Sequence, residues 1–349
     1  MKTIAFILLI AIYALSAYSQ NITNTLGSAG LFSIKDNSKI FLTLRQSNGL
    51  FSLNKNLSLL NTTDSTLGVI MKGGNRFIHD YAPLQADGYN IYIGINSGNF
   101  TIPKSATTQS SYNTAIGDNT LQSLTLGSHN TAVGFSSLHQ NRTGNTNTAM
   151  GHSSLFYNQT GNFNTAIGIQ SMLANTAGND NTAVGYMSLL NNSTSIDNIA
   201  AGYKSLYSNA NGDDNTAVGP TSLYSNQTGS YNTAEGYASL YNNTTGATDV
   251  AVGVQSLTSN TIGNCNTAVG VSSLHDNTIG SYNTVLGNNA GNNINTGSNN
   301  TLIGYSAQTS TTTVSNEITL GNSDLFDVQS QQLLLYRMHG IRKTFTISA

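Results

Sequence analysis

The chain has 349 residues, with 13 Lys and Arg against 15 Asp and Glu, a formal net charge of -2, no Trp and 3 Pro. Charged side chains make up 8% of it, against about 25% in typical soluble domains. Between positions 112 and 310 only Arg142 and Lys204 are basic, so no surface is expected for nucleic acid or anionic lipid.

Residues 1–19 read as a signal peptide: Lys2 supplies the positive start, Ile4 to Ala17 the apolar run, and Ala17-Tyr18-Ser19 a small-x-small cleavage site. No later stretch approaches the length of a membrane-spanning helix, so the mature chain is expected to be secreted or displayed at a cell surface. Cys265 is the single cysteine, which leaves no internal disulfide and implies stabilisation by other means.

Residues 20–89 form a region of their own. "LFSIKD", "KIFLTLRQ", "GLFSLNKNLSLL" and "LGVIMKGG" alternate apolar and polar side chains between Gly, Asn and Asp, which predicts short strands. Such a segment suits an N-terminal β-rich cap or stalk for a repeat array, whose end exposes apolar surface and unpaired backbone.

From about residue 90 to 322 one residue type keeps time. Glycine stands at Gly117, Gly134, Gly151, Gly168, Gly185, Gly202, Gly219, Gly236, Gly253, Gly270, Gly287, Gly304 and Gly321, every interval being 17. A period of this size held without a slip marks a repeat architecture. The unit reads Asn-Thr-Ala-(Val/Ile)-Gly-x-x-Ser-Leu-x-x-Asn-x-Thr-Gly-x-x, as in Asn130 to Thr146. Leu follows the anchor glycine by four at Leu138, Leu155, Leu189, Leu206, Leu223, Leu240, Leu257 and Leu274, with Met172 once in its place. A second glycine follows by ten, with Ser195 the exception. Gly94 precedes Gly117 by more than one period, consistent with an atypical first rung and an insertion, and the copies from Gly287 onward loosen. Residues 323–349 are a tail with no assigned structure.

A rung of this length predicts one coil of two short strands and two tight bends, stacked on its neighbours at the strand spacing of about 4.8 Å. The fold class is therefore all-β, a parallel β-solenoid of about 13 rungs. Glycine at the anchor marks a corner or a close approach of another backbone, and the Asn positions form side-chain ladders. The Val or Ile before the anchor and the Leu after it are expected to make the core. That core is thin, which favours oligomerisation. Glu235 stands where Val218 and Val252 stand in other copies, as a tolerated interruption or an outward-facing position.

The "NTAVG" and "NTAIG" cores followed by Ser-Leu resemble the head repeats of trimeric autotransporter adhesins (YadA-like heads) and, more closely, the "NTAxGxxSLxxNTTG" arrays of secreted bacterial surface and fibre proteins. The likeness covers about residues 90–322, with a longer period here than in the usual adhesin head. It implies a left-handed β-roll and an obligate homotrimer. In such proteins "NEITLGN", here Asn316 to Asn322, leads into an intramolecular chaperone domain. The short tail beyond Gly321 does not match one, nor a membrane barrel.

Signals of enzyme chemistry are poor, and no cofactor or metal is expected. His79, His129, His139, His152, His275 and His339 form no spaced cluster, and Asp180, Asp213, Asp214, Asp249 and Asp276 are scattered rather than placed once per repeat as a calcium-binding array requires. Asn141, Asn158 and Asn226 open glycosylation sequons, which the repeat generates by itself. Aromatic residues recur at outward-variable positions, with Tyr186, Tyr203 and Tyr237 the candidate contact residues and Tyr207, Tyr224 and Tyr241 a second set. These point to glycan or to host or neighbouring surface protein as partner, or to packing between rungs and chains. The expected function is a structural and adhesive rod. Rival readings are an ice-binding solenoid with a Thr ladder (Thr131, Thr148, Thr165) and a carbohydrate-binding, tail-fibre-like protein.

Overall fold

The computed structural model describes residues 69–82, 87–100 and 110–322, together with the backbone of three strands before them. The expected signal peptide, the tail at 323–349 and much of the N-terminal cap lie outside the described residues. Contacts divide the chain into Met1–Leu60 and Asn61–Ala349. In the first unit β1 (Leu31–Lys35), β2 (Ile40–Arg45) and β3 (Leu50–Leu53) form an antiparallel meander with Leu31 opposite Arg45 and Leu42 opposite Leu53.

The second unit holds one sheet of 16 strands. It opens with a hairpin, β4 (Ile70–Lys72) and β5 (Asn75–His79), turned by Gly73 and Gly74 at positive φ. β5 pairs antiparallel with β6 (Ile91–Ile93), and from there every pairing is parallel. After β7 (Thr114–Ile116) a short strand returns once per period, from β8 (Thr131–Val133) through β18 (Thr301–Ile303) to β19 (Ile318–Leu320). The result is a β-solenoid of about 12 turns, extending roughly 60 Å at the usual strand spacing. Among the described residues there is no helix, and hence none long and apolar enough to cross a membrane.

Two expectations about the rung are corrected. Each coil has one strand, not two: Thr131↔Thr148, Ala132↔Ala149 and Val133↔Met150 pair across β8 and β9 (Thr148–Met150), while the Ser-Leu side is built of turns. Those turns still bond rung to rung, as in Leu138 N–H to the Ser154 carbonyl at 3.0 Å and Ser136 N–H to the Asp118 carbonyl at 2.9 Å. Four backbone positions per coil sit at positive φ, including Leu138 at 48° and Ser136 at 53°, so extended backbone cannot persist there.

The core is also different. Strand residues alternate sides, and here Ala two before the anchor faces inward while Val or Ile one before it faces out. Ala115 through Ala268 and Leu138, Leu155, Leu189, Leu206, Leu223, Leu240, Leu257 and Leu274 are fully buried. By contrast Ile116, Met150, Ile167, Val184, Val218, Val269, Leu286 and Ile303 are 37–43% exposed. The interior is only wide enough for Ala opposite Leu. Where Leu is missing the inward strand residue grows: Tyr92 faces Gly98, and Val285 faces Gly291, where an added Cβ would lie 2.7 Å from the Tyr92 ring and 3.2 Å from Val285.

Polar ladders fill the rest of the interior. Asn130 donates its amide to Asn113 Oδ1 at 3.1 Å and to the Gly144 carbonyl at 2.9 Å, and its own Oδ1 accepts Asn147. A second column runs from Asn141 to Asn277, its amides from Asn158 on donating to the Asn below and to a carbonyl three residues further along their own turn, as Asn158 does at 3.0 Å to both. Leu124 and Ile294, both fully buried, bound that column. Buried amides satisfied at this density add directional bonds between rungs to a thin apolar core.

Candidate functional site

The inward columns are sealed, so any chemistry with a partner belongs to outward ones. The anchor glycines Gly117 to Gly304 have φ between 123° and 148°, a region closed to other residues. A Cβ on Gly134 would stand 2.7 Å from the carbonyl oxygen of Gly151. These glycines and the leucines are thus structural, placed at the corner and in the core. Gly321 ends the series at φ 79°.

Tyr186, Tyr203 and Tyr237 occupy the position after the anchor and are 42%, 50% and 54% exposed. Tyr186 and Tyr203 stack, with centroids 5.6 Å apart and planes 9° from parallel. Tyr237 lies two rungs from Tyr203 with Pro220 between them. The second set forms a longer ladder: Tyr207, Tyr224 and Tyr241 stack at 5.0 Å with planes 6° apart. Lys204 links the two sets, its Nζ 5.4 Å from the ring centres of both Tyr203 and Tyr207. Sequence reasoning did not join Lys204 to the aromatics; the signal was its place between two columns that share the repeat period.

Three of the described histidines join ladders rather than each other. His129 stacks on Tyr112, His152 on Phe135 and His139 on Phe156. His79 is buried against Tyr92 and Phe100 and bonds the Ser97 carbonyl at 2.8 Å. Burial is the main cause that lowers its pKa to about 4, so it plugs the first turn as a neutral ring. His275 pairs only with its neighbour Asp276, at 2.6 Å on the surface. Arg76 lies 3.9 Å over the Phe100 ring beside an open cleft of about 290 Å³ lined by Asn96, Gln122 and Ser123.

The carboxylates are less scattered than they read. Asp180, Asp197 and Asp214 stand one rung apart in a single exposed column, in the left-handed conformation that Asp tolerates. Asp249 is buried in the first asparagine column, and burial raises its carboxyl to about 7. Glu235 faces outward beside Val218 and Val252. Cys265 is exposed with Sγ 3.2 Å from Thr248 Oγ1. Among the described residues no group of three or more His, Cys, Asp or Glu is arranged to hold a metal. The sequon residues Asn141, Asn158 and Asn226 are fully buried in the second ladder.

No family model, curated protein or solved structure matches the chain.

Proposed function

We propose that the chain is an exported, non-enzymatic rod that assembles as a homotrimer and adheres to cell-surface or matrix ligands through many weak contacts. The observation that carries this reading is the apolar column on the strand face. Side chains such as Ile167, Val184, Val218 and Val269 are each about two-fifths exposed and recur along one sheet, interrupted by Ala201 and Glu235. An apolar strip of this length marks an interaction surface, and a second copy of the same rod has the matching length and period. The number three comes from the likeness of the repeat to trimeric adhesin heads. Identical outward groups at each rung then give avidity without any one strong site.

The test is sedimentation equilibrium of the full chain. Three times the single-chain mass supports the trimer, and Val184→Lys with Val218→Lys should return a folded monomer with an unchanged β spectrum. A wild-type chain that is folded and monomeric overturns it.

A second reading is favoured by one observation. Thr131, Thr148, Thr165 and Thr182 project from that same face in strict register, forming a regular hydroxyl ladder beside the apolar column, as an ice-binding surface would require. Thermal hysteresis in solutions of the chain would support it; its absence at high concentration removes it.

A further inference from the structure

Two aromatic columns meet on the rung of Gly202, one ending there with Tyr186 and Tyr203 and the other starting there with Tyr207, Tyr224 and Tyr241. Ser205 and Leu206 turn fully inward between Tyr203 and Tyr207, so Lys204 lies in a shallow furrow flanked on its own rung by Tyr203 and Tyr207. Tyr186 extends one wall by one rung, and Tyr224 and Tyr241 extend the other by two rungs in the opposite direction. The rings stack with centres 5.0 Å apart and planes 6° from parallel, and Tyr207, Tyr224 and Tyr241 stay half-buried while Tyr186 and Tyr203 are exposed, so the columns keep ring surface open to a ligand. Among the described residues no carboxylate lies within ion-pair distance of Lys204, whose amino group lies against the rings of Tyr203 and Tyr207.

We propose that this furrow binds a linear acidic polysaccharide lying along the rod, its sugar C–H groups against the exposed tyrosine rings and one carboxylate on Lys204. The proposal rests on the adhesive reading above and names the ligand class of one of its sites. Three features choose the ligand. The walls are amphipathic, apolar ring with polar tip, which suits a sugar presenting a C–H face edged by hydroxyls. They repeat at the rung spacing of about 4.8 Å, close to the length of one sugar in an extended chain. And a single cation among five tyrosines supplies one charged contact for a carboxylate of a sugar chain held mainly by the rings, whereas a nucleic acid would demand a basic surface that the net charge of -2 denies.

The experiment uses the full chain and two probes of equal length, oligogalacturonate and a neutral cello-oligosaccharide, with binding read by calorimetry and by tyrosine emission, since the chain has no Trp. Lys204→Met and Tyr224→Thr place residues that the same columns already carry at Met187 and Thr258, so both variants keep the coil. Oligogalacturonate should bind in preference to the neutral probe and more weakly as salt rises. Each variant should lower its affinity by about tenfold. No binding of oligogalacturonate, equal binding by the variants, or salt-independent binding of both probes overturns the assignment. If the chain is trimeric and attaches to cell surfaces while oligogalacturonate stays free, the furrow assignment falls and the adhesive reading stands. If Lys204-dependent binding persists in a chain that neither assembles nor attaches, the reverse holds.

Discussion

Asp249 Oδ1 accepts both the backbone N–H of Asn266 at 2.8 Å and its side-chain amide at 3.1 Å, inside a column that is otherwise asparagine from Asn90 to Asn300. An asparagine there would also donate to the glycine carbonyl beyond, as Asn232 does to Gly246 at 2.9 Å. A carboxylate has no proton to give, and Asp249 Oδ2 instead accepts Asn260 at 3.2 Å.

This relation predicts a pH dependence. Burial raises the folded-state pKa of Asp249 to about 7 from 3.8, so the folded chain holds a proton that the unfolded chain has released. The associated stability is complete below pH 3.8, and it is lost as pH rises to about 7. His79 acts in the opposite sense: burial lowers it from 6.5 to about 4, and its contribution is lost as pH falls through that window. Comparing wild type with Asp249→Asn cancels His79. The melting temperature of the variant should exceed wild type above pH 7, with the gap closing toward pH 4; parallel curves would refute the buried-proton account.

A second prediction concerns the anchor. Gly202 has φ 148°, and a Cβ there would meet the Gly219 carbonyl oxygen at 2.5 Å. Backbone cannot step aside without breaking the bonds of both adjoining coils, so Gly202→Ala should cost about 3 kcal/mol or more. Because each rung touches only its neighbours, the damage should be local. Hydrogen exchange should accelerate in the rungs around Gly202 and remain slow near Gly134 and Gly287. Tyr203→Ala, next door and exposed, is the control that should leave exchange unchanged.

The period, the parallel stacking and the asparagine ladders were legible because each leaves one residue type at a fixed interval. The facing of the strand was not. Hydrophobicity ranks Val above Ala, which makes Val133 and Val184 read as core, yet an interior this narrow admits Ala alone opposite Leu. The clue lay in paired departures within the chain: Tyr92 with Gly98, Val285 with Gly291. The Tyr–Lys204 furrow was half legible, since Tyr207, Tyr224 and Tyr241 share the period but nothing local says that Ser205 and Leu206 turn inward between them. One strand rather than two follows from left-handed residues at Ser136 and Leu138, which side-chain pattern does not announce.

Those paired departures yield a third prediction. In the rung of Gly287, Val285 and Ile294 are fully buried and occupy the space that Leu takes elsewhere, while Asn277 Oδ1 is left without a donor because Ile294 ends the amide column. Gly291→Leu alone overfills the coil and should lower stability by about 1–3 kcal/mol. Adding Val285→Ala and Ile294→Asn rebuilds the common rung and gives Asn277 its partner, so the triple variant should melt at or above wild type. A triple variant as unstable as the single one would show that the rung is shaped by something other than volume.

The last prediction separates sequence motif from chemistry. Asn158 belongs to a sequon but is fully buried, donating to Asn141 Oδ1 and to the Gly161 carbonyl, both at 3.0 Å, and accepting Asn175 at 2.8 Å. Its amide nitrogen has no path to a glycosylating enzyme once the coil has closed. When the folded chain is offered to an N-glycosylating system, Asn141, Asn158 and Asn226 should remain unmodified by mass spectrometry, and sugar should appear only if the chain is presented unfolded. Asn158→Ala should strand Asn141 Oδ1 and one N–H of the Asn175 amide in the interior, at about 1–3 kcal/mol for each group left unpaired, whereas Gln159→Ala on the exposed side of the same turn should be close to neutral. Equal melting temperatures for the two variants would mean that the amide ladder adds little, and that the backbone bonds between rungs hold the solenoid without it.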